Sequence, residues 1–261
     1  MKSMKVPTVS PTDAPAGTAG LGAEWIRIAV PDVGVLVAAV ARPTGKGPFP
    51  IVLLLHGSHG FALDYVHLAH DLARAGLLSM AACWFREGGG AGQRFVTPIV
   101  WLDAPPAPDP LSDEAMHTVH ALVHTARNLP DALPERTGLF GHSRGGGAAL
   151  SYMLRAGEVQ SGVLSSSRYP RQLADLASQM RVPLLMLHGT ADDPSDGGTE
   201  FTNVEMARSF EQALRASGKP FEAVYYEGGR HNDIFASSAR YQDELKRMSV
   251  FYRHHLGPRN S

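Results

Sequence analysis

Residues 137–155 read TGLFGHSRGGGAALSYMLR. The first four residues have the composition of a short buried strand, and residues 145–155 show the spacing of a helix rich in small side chains. A Gly-x-Ser-x-Gly pentapeptide centred on Ser143 stands between them. A strand, a sharp turn and a helix in this order raise a serine hydroxyl above the edge of a sheet. The pattern therefore predicts that Ser143 is a nucleophile.

The glycines around Ser143 are what such a turn requires. A side chain two positions before or after the serine would collide with the neighbouring strand and helix, and Gly141 and Gly145 carry none. The helix that follows directs the positive end of its dipole and its free N–H groups toward the serine. The pentapeptide alone also occurs by chance, so its interpretation depends on the strand and helix beside it.

Outward from this stretch, strand-like and helix-like segments alternate. Residues 51–55 form an unbroken apolar run, which is typical of a strand buried on both faces. Other strand-like segments are residues 24–31, 33–42, 77–85, 137–140, 159–164, 182–187 and 221–226. Helical spacing is found in residues 63–75, 112–128, 145–155, 204–217 and 234–255. This alternation predicts an α/β fold with a mostly parallel sheet, helices on both faces and an antiparallel edge formed by the first two strands.

The composition indicates one catalytic domain over residues 23–261, preceded by a flexible leader over residues 1–22. With 44% hydrophobic residues, the 261-residue chain can build one sizeable core. The leader has no apolar signal-peptide core, so we expect a cytoplasmic protein. The sequence has no apolar segment long enough to span a membrane, so we expect no membrane partner. A formal net charge of −1 gives no reason to expect a nucleic-acid partner. Cys83 is the only cysteine, so we expect neither an internal disulfide nor a metal site built on cysteine.

An acid and a base follow Ser143 in the order expected for a serine nucleophile on such a sheet. Asp192 lies just after the strand at residues 182–187, and His231 lies just after the strand at residues 221–226. Because the carboxyl ends of parallel strands meet at one edge of the sheet, both side chains can converge on Ser143. Asp193 is an alternative acid, since this loop is rich in aspartate.

Two backbone N–H groups are predicted to form an oxyanion hole, which stabilises the negative oxygen of a tetrahedral intermediate. One is the N–H of Arg144, the residue after the nucleophile. The other comes from the loop at residues 56–60, where Ser58 is favoured over His59.

Four motifs together resemble the α/β-hydrolases: HGSHG at residues 56–60, GHSRGG at 141–146, HGTADD at 188–193 and GGRH at 228–231. They are most similar to the dienelactone hydrolase and prolyl-oligopeptidase-like branch, over about residues 24–257. The resemblance implies the α/β-hydrolase fold with an eight-stranded, mainly parallel sheet. It also implies hydrolysis of esters, lactones or amides without a metal or organic cofactor.

Two departures from the family bear on the substrate. Dienelactone hydrolases that resemble this chain carry a cysteine nucleophile where it has Ser143, which favours ordinary carboxylic esters. Prolyl oligopeptidases carry a propeller domain that this sequence does not show, which makes a small-peptidase function less favoured.

The sequence predicts the substrate pocket only in outline. Residues 86–110, rich in Gly and Pro, are expected to form a lid that shapes the pocket. Only about 17 residues separate the strand ending at Leu164 from the one starting at Val182, which predicts a minimal cap. The candidate substrate-binding residues are Phe61, Tyr65, Trp84, Arg86, Trp101, His142, Arg168 and Tyr169. We hypothesise that Arg86 or Arg168 pairs with a carboxylate on the substrate.

Three functions are compatible with these observations. The favoured one is a carboxylesterase-like serine hydrolase of class EC 3.1.1, which forms an acyl-enzyme intermediate. The second uses the same residues for acyl transfer or perhydrolysis. The third is a ligand-binding protein on a hydrolase scaffold that has lost catalysis.

Overall fold

A single sheet organises the computed structural model, which describes residues 6–15, 18, 20–84, 109–196 and 198–257. Within these residues the sheet has nine strands: β1 (Thr8–Pro11), β2 (Glu24–Val30), β3 (Gly34–Ala41), β4 (Phe49–Leu55), β5 (Leu78–Ala82), β6 (Ala132–His142), β7 (Ser161–Ser165), β8 (Leu184–Gly189) and β9 (Phe221–Tyr226). Their order across the sheet is β1-β2-β3-β5-β4-β6-β7-β8-β9. From β5 to β9 all neighbours are parallel, and β1, β2 and β3 form the antiparallel edge. This is the mostly parallel α/β-hydrolase fold that the sequence predicts.

Helices cover both faces of the sheet. They are α1 (Leu63–Arg74), α2 (Asp113–Arg127), α3 (Ser143–Arg155), α4 (Arg171–Ala174), α5 (Val204–Ala216), α6 (Asp233–Ala236) and α7 (Ser238–Leu256). Successive residues of β4 point to opposite faces, so Leu53 packs in the core beneath α2, α3 and α5, while Leu54 packs in the core beneath α1 and α7. Both side chains are buried, which explains why β4 shows no alternation of polar and apolar residues.

Strand β1 lies in the segment that was expected to be a flexible leader. It also makes the sheet nine-stranded, whereas eight strands were expected. Residues 8–11 pair antiparallel with β2, with Thr8 opposite Ala29 and Pro11 opposite Ile26. All four residues of β1 are exposed, so the sequence TVSP carries no pattern of burial. Backbone hydrogen bonds along the sheet edge hold this strand, and hydrophobic patterning does not report such bonds.

Two helix boundaries differ from the predicted ones. The helix after the pentapeptide begins at Ser143 itself, and the predicted helix from residue 234 to residue 255 is divided into α6 and α7. Ser237 separates these two helices in an extended conformation, and its hydroxyl caps α7 by accepting from the N–H of Arg240 at 3.4 Å.

The connection between β7 and β8 contains only α4 and a 3₁₀ turn at Ala177–Gln179, in agreement with a minimal cap. Nearly all of the predicted lid at residues 86–110 lies outside the described residues. In the described part of the chain, no helix has the length and apolar character needed to cross a membrane.

Candidate active site

Ser143 stands at the sharp turn between β6 and α3. Its backbone φ is +52°, in the left-handed region that non-glycine residues rarely adopt. Such a conformation costs about 1–3 kcal/mol and persists only where surrounding structure enforces it. The serine is 5% exposed, so its hydroxyl lies at the floor of the site.

The glycines next to Ser143 enforce this turn because no side chain fits at their positions. A Cβ at Gly141 would lie 2.6 Å from the Cα of Gly146, and a Cβ at Gly145 would lie 2.4 Å from the carbonyl oxygens of Leu55 and His56. The start of α3 therefore packs directly against the end of β4. This close approach is the physical basis of the Gly-x-Ser-x-Gly pattern.

His231 and Asp192 converge on Ser143 from the ends of two other strands. His231 Nε2 lies 2.9 Å from Ser143 Oγ, and His231 Nδ1 lies 2.8 Å from Asp192 Oδ2. The side chains of His231 and Asp192 are 2% and 0% exposed. With Nδ1–H donating to the carboxylate, Nε2 is left as the acceptor for the serine proton. The three side chains thus form one buried hydrogen-bonded chain.

The geometry distinguishes Asp192 from Asp193. Asp193 Oδ1 accepts from the backbone N–H of Ser195 at 2.7 Å and from its hydroxyl at 2.5 Å. These are the hydrogen bonds of an Asx turn, which shape the loop locally. Asp192 is the aspartate that reaches His231.

His188 lies behind Asp192, and it is not among the site residues predicted from the sequence. Its Nε2–H donates to the carbonyl of Thr202 at 2.7 Å and lies 3.5 Å from Asp192 Oδ2. Burial lowers the pKa of His188 to about 4, although the nearby carboxylate opposes this shift. The signal was present in the sequence, because His188 and Asp192 are four residues apart in the HGTADD motif.

The loops that carry the acid and the base are tied to each other. The backbone N–H of Ala191 donates to Gly229 O at 2.9 Å, and the N–H of Gly228 donates to the hydroxyl of Thr190 at 2.8 Å. A Cβ at Gly189 would lie 2.1 Å from Gly229 O, so only glycine permits this approach. Asp192 and His231 are consequently held as a pair.

The predicted oxyanion loop lies against the nucleophile. A Cβ at Gly57 would lie 3.1 Å from Ser143 Cβ. Tyr65, predicted to contact substrate, instead supports this loop: its hydroxyl accepts from the N–H of Gly57 at 2.9 Å and lies 2.8 Å from His59 Nε2. The roles of the Ser58 and Arg144 N–H groups in binding an oxyanion stay predictions.

Three other candidate pocket residues fill the interior beneath the site. Phe61 packs 6.2 Å from the Trp25 ring, edge to face, and Tyr169 stacks 5.4 Å from Phe210. Trp84 donates from its indole N–H to His56 O at 2.9 Å. All three predicted residues are buried, so in this structure they shape the loops around Ser143 from inside. Arg86 and Trp101 lie outside the described residues.

Arg168 borders a cavity whose lining includes Gly147 of α3, one turn after Ser143. Its backbone N–H donates to Ser143 O at 3.3 Å, and its guanidinium lies 4.8 Å from the centre of the Phe201 ring. Burial lowers the pKa of Arg168, and the nearby Arg144 adds to this effect. The cavity has a volume of about 210 Å³ and is lined by Asp109, Pro110, Leu111, Gly147, Arg168, Pro170, Gln172 and Phe201.

Other histidines near Ser143, Asp192 and His231 are held uncharged. Burial lowers the pKa of His56 and of His59 to about 3, and it lowers the pKa of His142 well below the usual range. The His142 and His231 rings are only 5.3 Å apart. Because these neighbours are neutral at pH 7, they do not place a full positive charge against a proton on His231.

Comparison with known proteins gives a family match over most of the chain. The model of the dienelactone hydrolase family matches residues 36–251. A protein of Methylorubrum extorquens, provisionally named a carboxymethylenebutenolidase, is 27% identical over 95% of this chain and 86% of its own length.

Solved structures share the fold at lower identity. A provisionally named dienelactone hydrolase of Klebsiella pneumoniae superposes with a TM-score of 0.66 at 19% identity, over 95% of this chain and 99% of its own. The acylaminoacyl peptidase of Pyrococcus horikoshii superposes with a TM-score of 0.69 at 15% identity. That match covers all of this chain but 43% of the peptidase. These similarities establish a common fold.

The buried neutral histidines predict that the free energy of unfolding decreases as the pH falls from about 6.5 toward 4. In this window the unfolded chain binds protons that the native protein excludes, because the pKa of His56 rises from about 3 to its ordinary value of 6.5 on unfolding. One such imidazole contributes up to about 1.4 kcal/mol per pH unit. Urea unfolding at a series of pH values should show a flatter dependence in His56→Gln, and an unchanged dependence in the exposed control His254→Gln. Equal slopes in His56→Gln and the wild type would contradict this prediction.

Proposed function

The chain belongs to the dienelactone hydrolase family, and from this premise we propose that it hydrolyses carboxylic esters and lactones through an acyl-enzyme intermediate on Ser143. The observation that carries the proposal is the buried hydrogen-bonded chain from Ser143 through His231 to Asp192. The name of the M. extorquens relative supports lactones as substrates beside simple esters. The cytoplasmic location inferred from the sequence stays a prediction.

In the first half of the reaction, Ser143 Oγ attacks the carbonyl carbon of the substrate while its proton passes to His231 Nε2. Asp192 stabilises the resulting imidazolium through its hydrogen bond to Nδ1–H. The backbone N–H groups of Arg144 and Ser58 stabilise the negative oxygen of the tetrahedral intermediate. Collapse of this intermediate breaks the bond to the leaving alkoxide, which takes the proton from His231. The acyl group is then esterified to Ser143.

In the second half, water repeats these steps in place of the serine. The oxygen of a water molecule attacks the acyl carbon while His231 accepts a proton from that water. A second tetrahedral intermediate forms. Its collapse breaks the bond to Ser143 Oγ, which recovers its proton from His231. The products are a carboxylic acid and the free enzyme. For a lactone, the alcohol and the acid are parts of one molecule.

We also propose that Arg168 binds a carboxylate on the substrate. Arg168 lines the cavity, and its backbone N–H is hydrogen-bonded to Ser143 O, which supports this role. The guanidinium is already partly removed from water, so an anion entering the cavity would find a strong partner. Arg168 Nε is buried and has no hydrogen-bond partner among the described residues.

Replacing Ser143 by alanine is expected to reduce kcat for p-nitrophenyl esters by at least about 1000-fold, because no other group supplies the attacking oxygen. A fluorophosphonate probe should label the wild type and not Ser143→Ala. Ser195→Ala removes an exposed hydroxyl in another loop and should retain both activity and labelling. Ester hydrolysis at the wild-type rate by folded Ser143→Ala would refute the proposal.

Replacing Arg168 by methionine is expected to raise KM about 10-fold or more for an ester that carries a free carboxylate, because a charge-assisted hydrogen bond is lost. The matched ester with a neutral group in place of the carboxylate should keep its KM. Arg171→Met, at an exposed position on α4, is the control and should leave both substrates unaffected. An equal change for the acidic and the neutral ester would argue against carboxylate binding.

A further inference from the structure

A buried ion pair lies beneath the loop that carries His231. Arg240 and Glu244 face each other one turn apart on α7, with Nε donating to Oε1. The other carboxylate oxygen, Oε2, accepts from the hydroxyl of Ser165 at 2.8 Å. Glu244 is fully buried and Arg240 is 7% exposed. The proposed mechanism assigns no role to any of these three residues.

The arginine end of this group supports the base. The guanidinium carbon of Arg240 lies 3.4 Å from the centre of the Tyr226 ring, at the end of β9. Its Nη1 occupies the space beside Gly229, because a Cβ there would lie 2.5 Å from that nitrogen. Gly229 is two residues before His231, and its carbonyl binds the loop of Asp192. The position of the guanidinium therefore limits where the histidine loop can lie.

The serine end supports the nucleophile. Ser165 is the last residue of β7 and pairs with His142, the residue before Ser143. The Ser165 carbonyl accepts from His142 Nδ1–H at 3.1 Å. With its proton on Nδ1, neutral His142 presents Nε2 as an acceptor to the side-chain amide of Asn232, the residue after His231, at 3.3 Å. These contacts connect the two residues that flank the proposed nucleophile and base.

Together with the chain segment from Gly229 to Asn232, which carries His231, these contacts close into a circuit. We call it the support circuit: His142, Ser165, Glu244, Arg240, Gly229 and Asn232. It runs from the strand end before Ser143, through α7, to the residues on both sides of His231. Burial raises the pKa of Glu244, and the neighbouring guanidinium opposes that shift. Buried ion pairs of this kind are often replaceable by apolar residues without loss of stability. Positioning of the loops around Ser143 and His231 therefore explains the presence of these two charges better than stabilisation of the fold does.

We propose that Arg240, Glu244 and Ser165 are positioning residues that hold His231 at hydrogen-bond distance from Ser143. This proposal rests on the proposed function, in which His231 takes the proton of Ser143 and must therefore lie within hydrogen-bond distance of it. A displacement of about 1 Å between reacting groups can lower the rate about 100-fold. Because these residues lie beneath the site, their loss affects kcat and leaves KM nearly unchanged.

The decisive variant is the double substitution Glu244→Gln/Arg240→Met. Each single substitution leaves its partner buried without a countercharge and destabilises the protein, whereas the double variant removes both charges and should recover the unfolding midpoint. We expect its kcat for p-nitrophenyl esters to be about 10- to 100-fold below that of the wild type, with KM within about twofold. Arg247→Met is the matched control, because Arg247 forms an exposed pair with Asp243 on the same helix. It should retain the wild-type kcat.

A second readout does not depend on turnover. The proton on His231 Nδ1, shared with Asp192, is expected to give a far-downfield NMR resonance, assigned by its absence in His231→Gln. It should shift or broaden in the double variant and stay unchanged in Arg247→Met. A folded double variant with wild-type kcat and an unchanged resonance would overturn the proposal. If the wild type hydrolyses no ester, the proposed function fails, whereas the resonance still tests the circuit.

Ser165→Ala provides the same test without disturbing the charges. It removes the hydroxyl that donates to Glu244 Oε2 and retains the ion pair between Glu244 and Arg240. A lower kcat with an unchanged KM and a shifted resonance would support the circuit even if the double variant does not fold. If the double variant does not fold, a Ser165→Ala variant with wild-type kcat, wild-type KM and an unshifted resonance would overturn the proposal.

Discussion

Ser143 has a backbone φ of +52°, and this conformation sets the direction in which its hydroxyl projects. A serine in that conformation is stable only because Gly141 and Gly145 let α3 approach β4 and β6 to distances that any side chain would prevent. The same approach places the loop at residues 56–60 beside the hydroxyl and directs the first turn of α3 toward it. Fold and candidate chemistry are therefore products of one close contact. A change that relaxes the turn would disturb both.

The sequence predicts those parts of the molecule that depend on local pattern. The buried run of β4, the pentapeptide at Ser143 and the order of Asp192 and His231 follow from composition and spacing, and the structure brings these residues together. The strand at residues 8–11 could not be predicted in this way. It is exposed and is held by backbone hydrogen bonds to a strand that follows it by more than ten residues.

Tertiary contacts decide the remaining features, and a single sequence does not report them. Tyr65 and Trp84 are of residue types common in pockets, yet their polar atoms bind the backbone of the loop at residues 56–60 from inside the protein. Arg240 and Glu244 resemble an ordinary surface pair on a helix, four residues apart. Only the packing of α7 beneath β7 and the histidine loop shows that they are buried. Residues that support a site are harder to predict than residues that perform its chemistry, since their types are not restricted by the reaction.

An acyl group esterified to Ser143 can be trapped and located in the chain. A slowly deacylating ester can be mixed with the enzyme, quenched in acid and digested with trypsin, which cleaves after Arg136 and Arg144. The peptide of residues 137–144 contains one serine, Ser143. We expect this peptide to gain the mass of the acyl group, with fragmentation placing it on the serine. Ester turnover with no acyl adduct on Ser143, or with the adduct on another residue, would contradict the proposed acyl-enzyme intermediate.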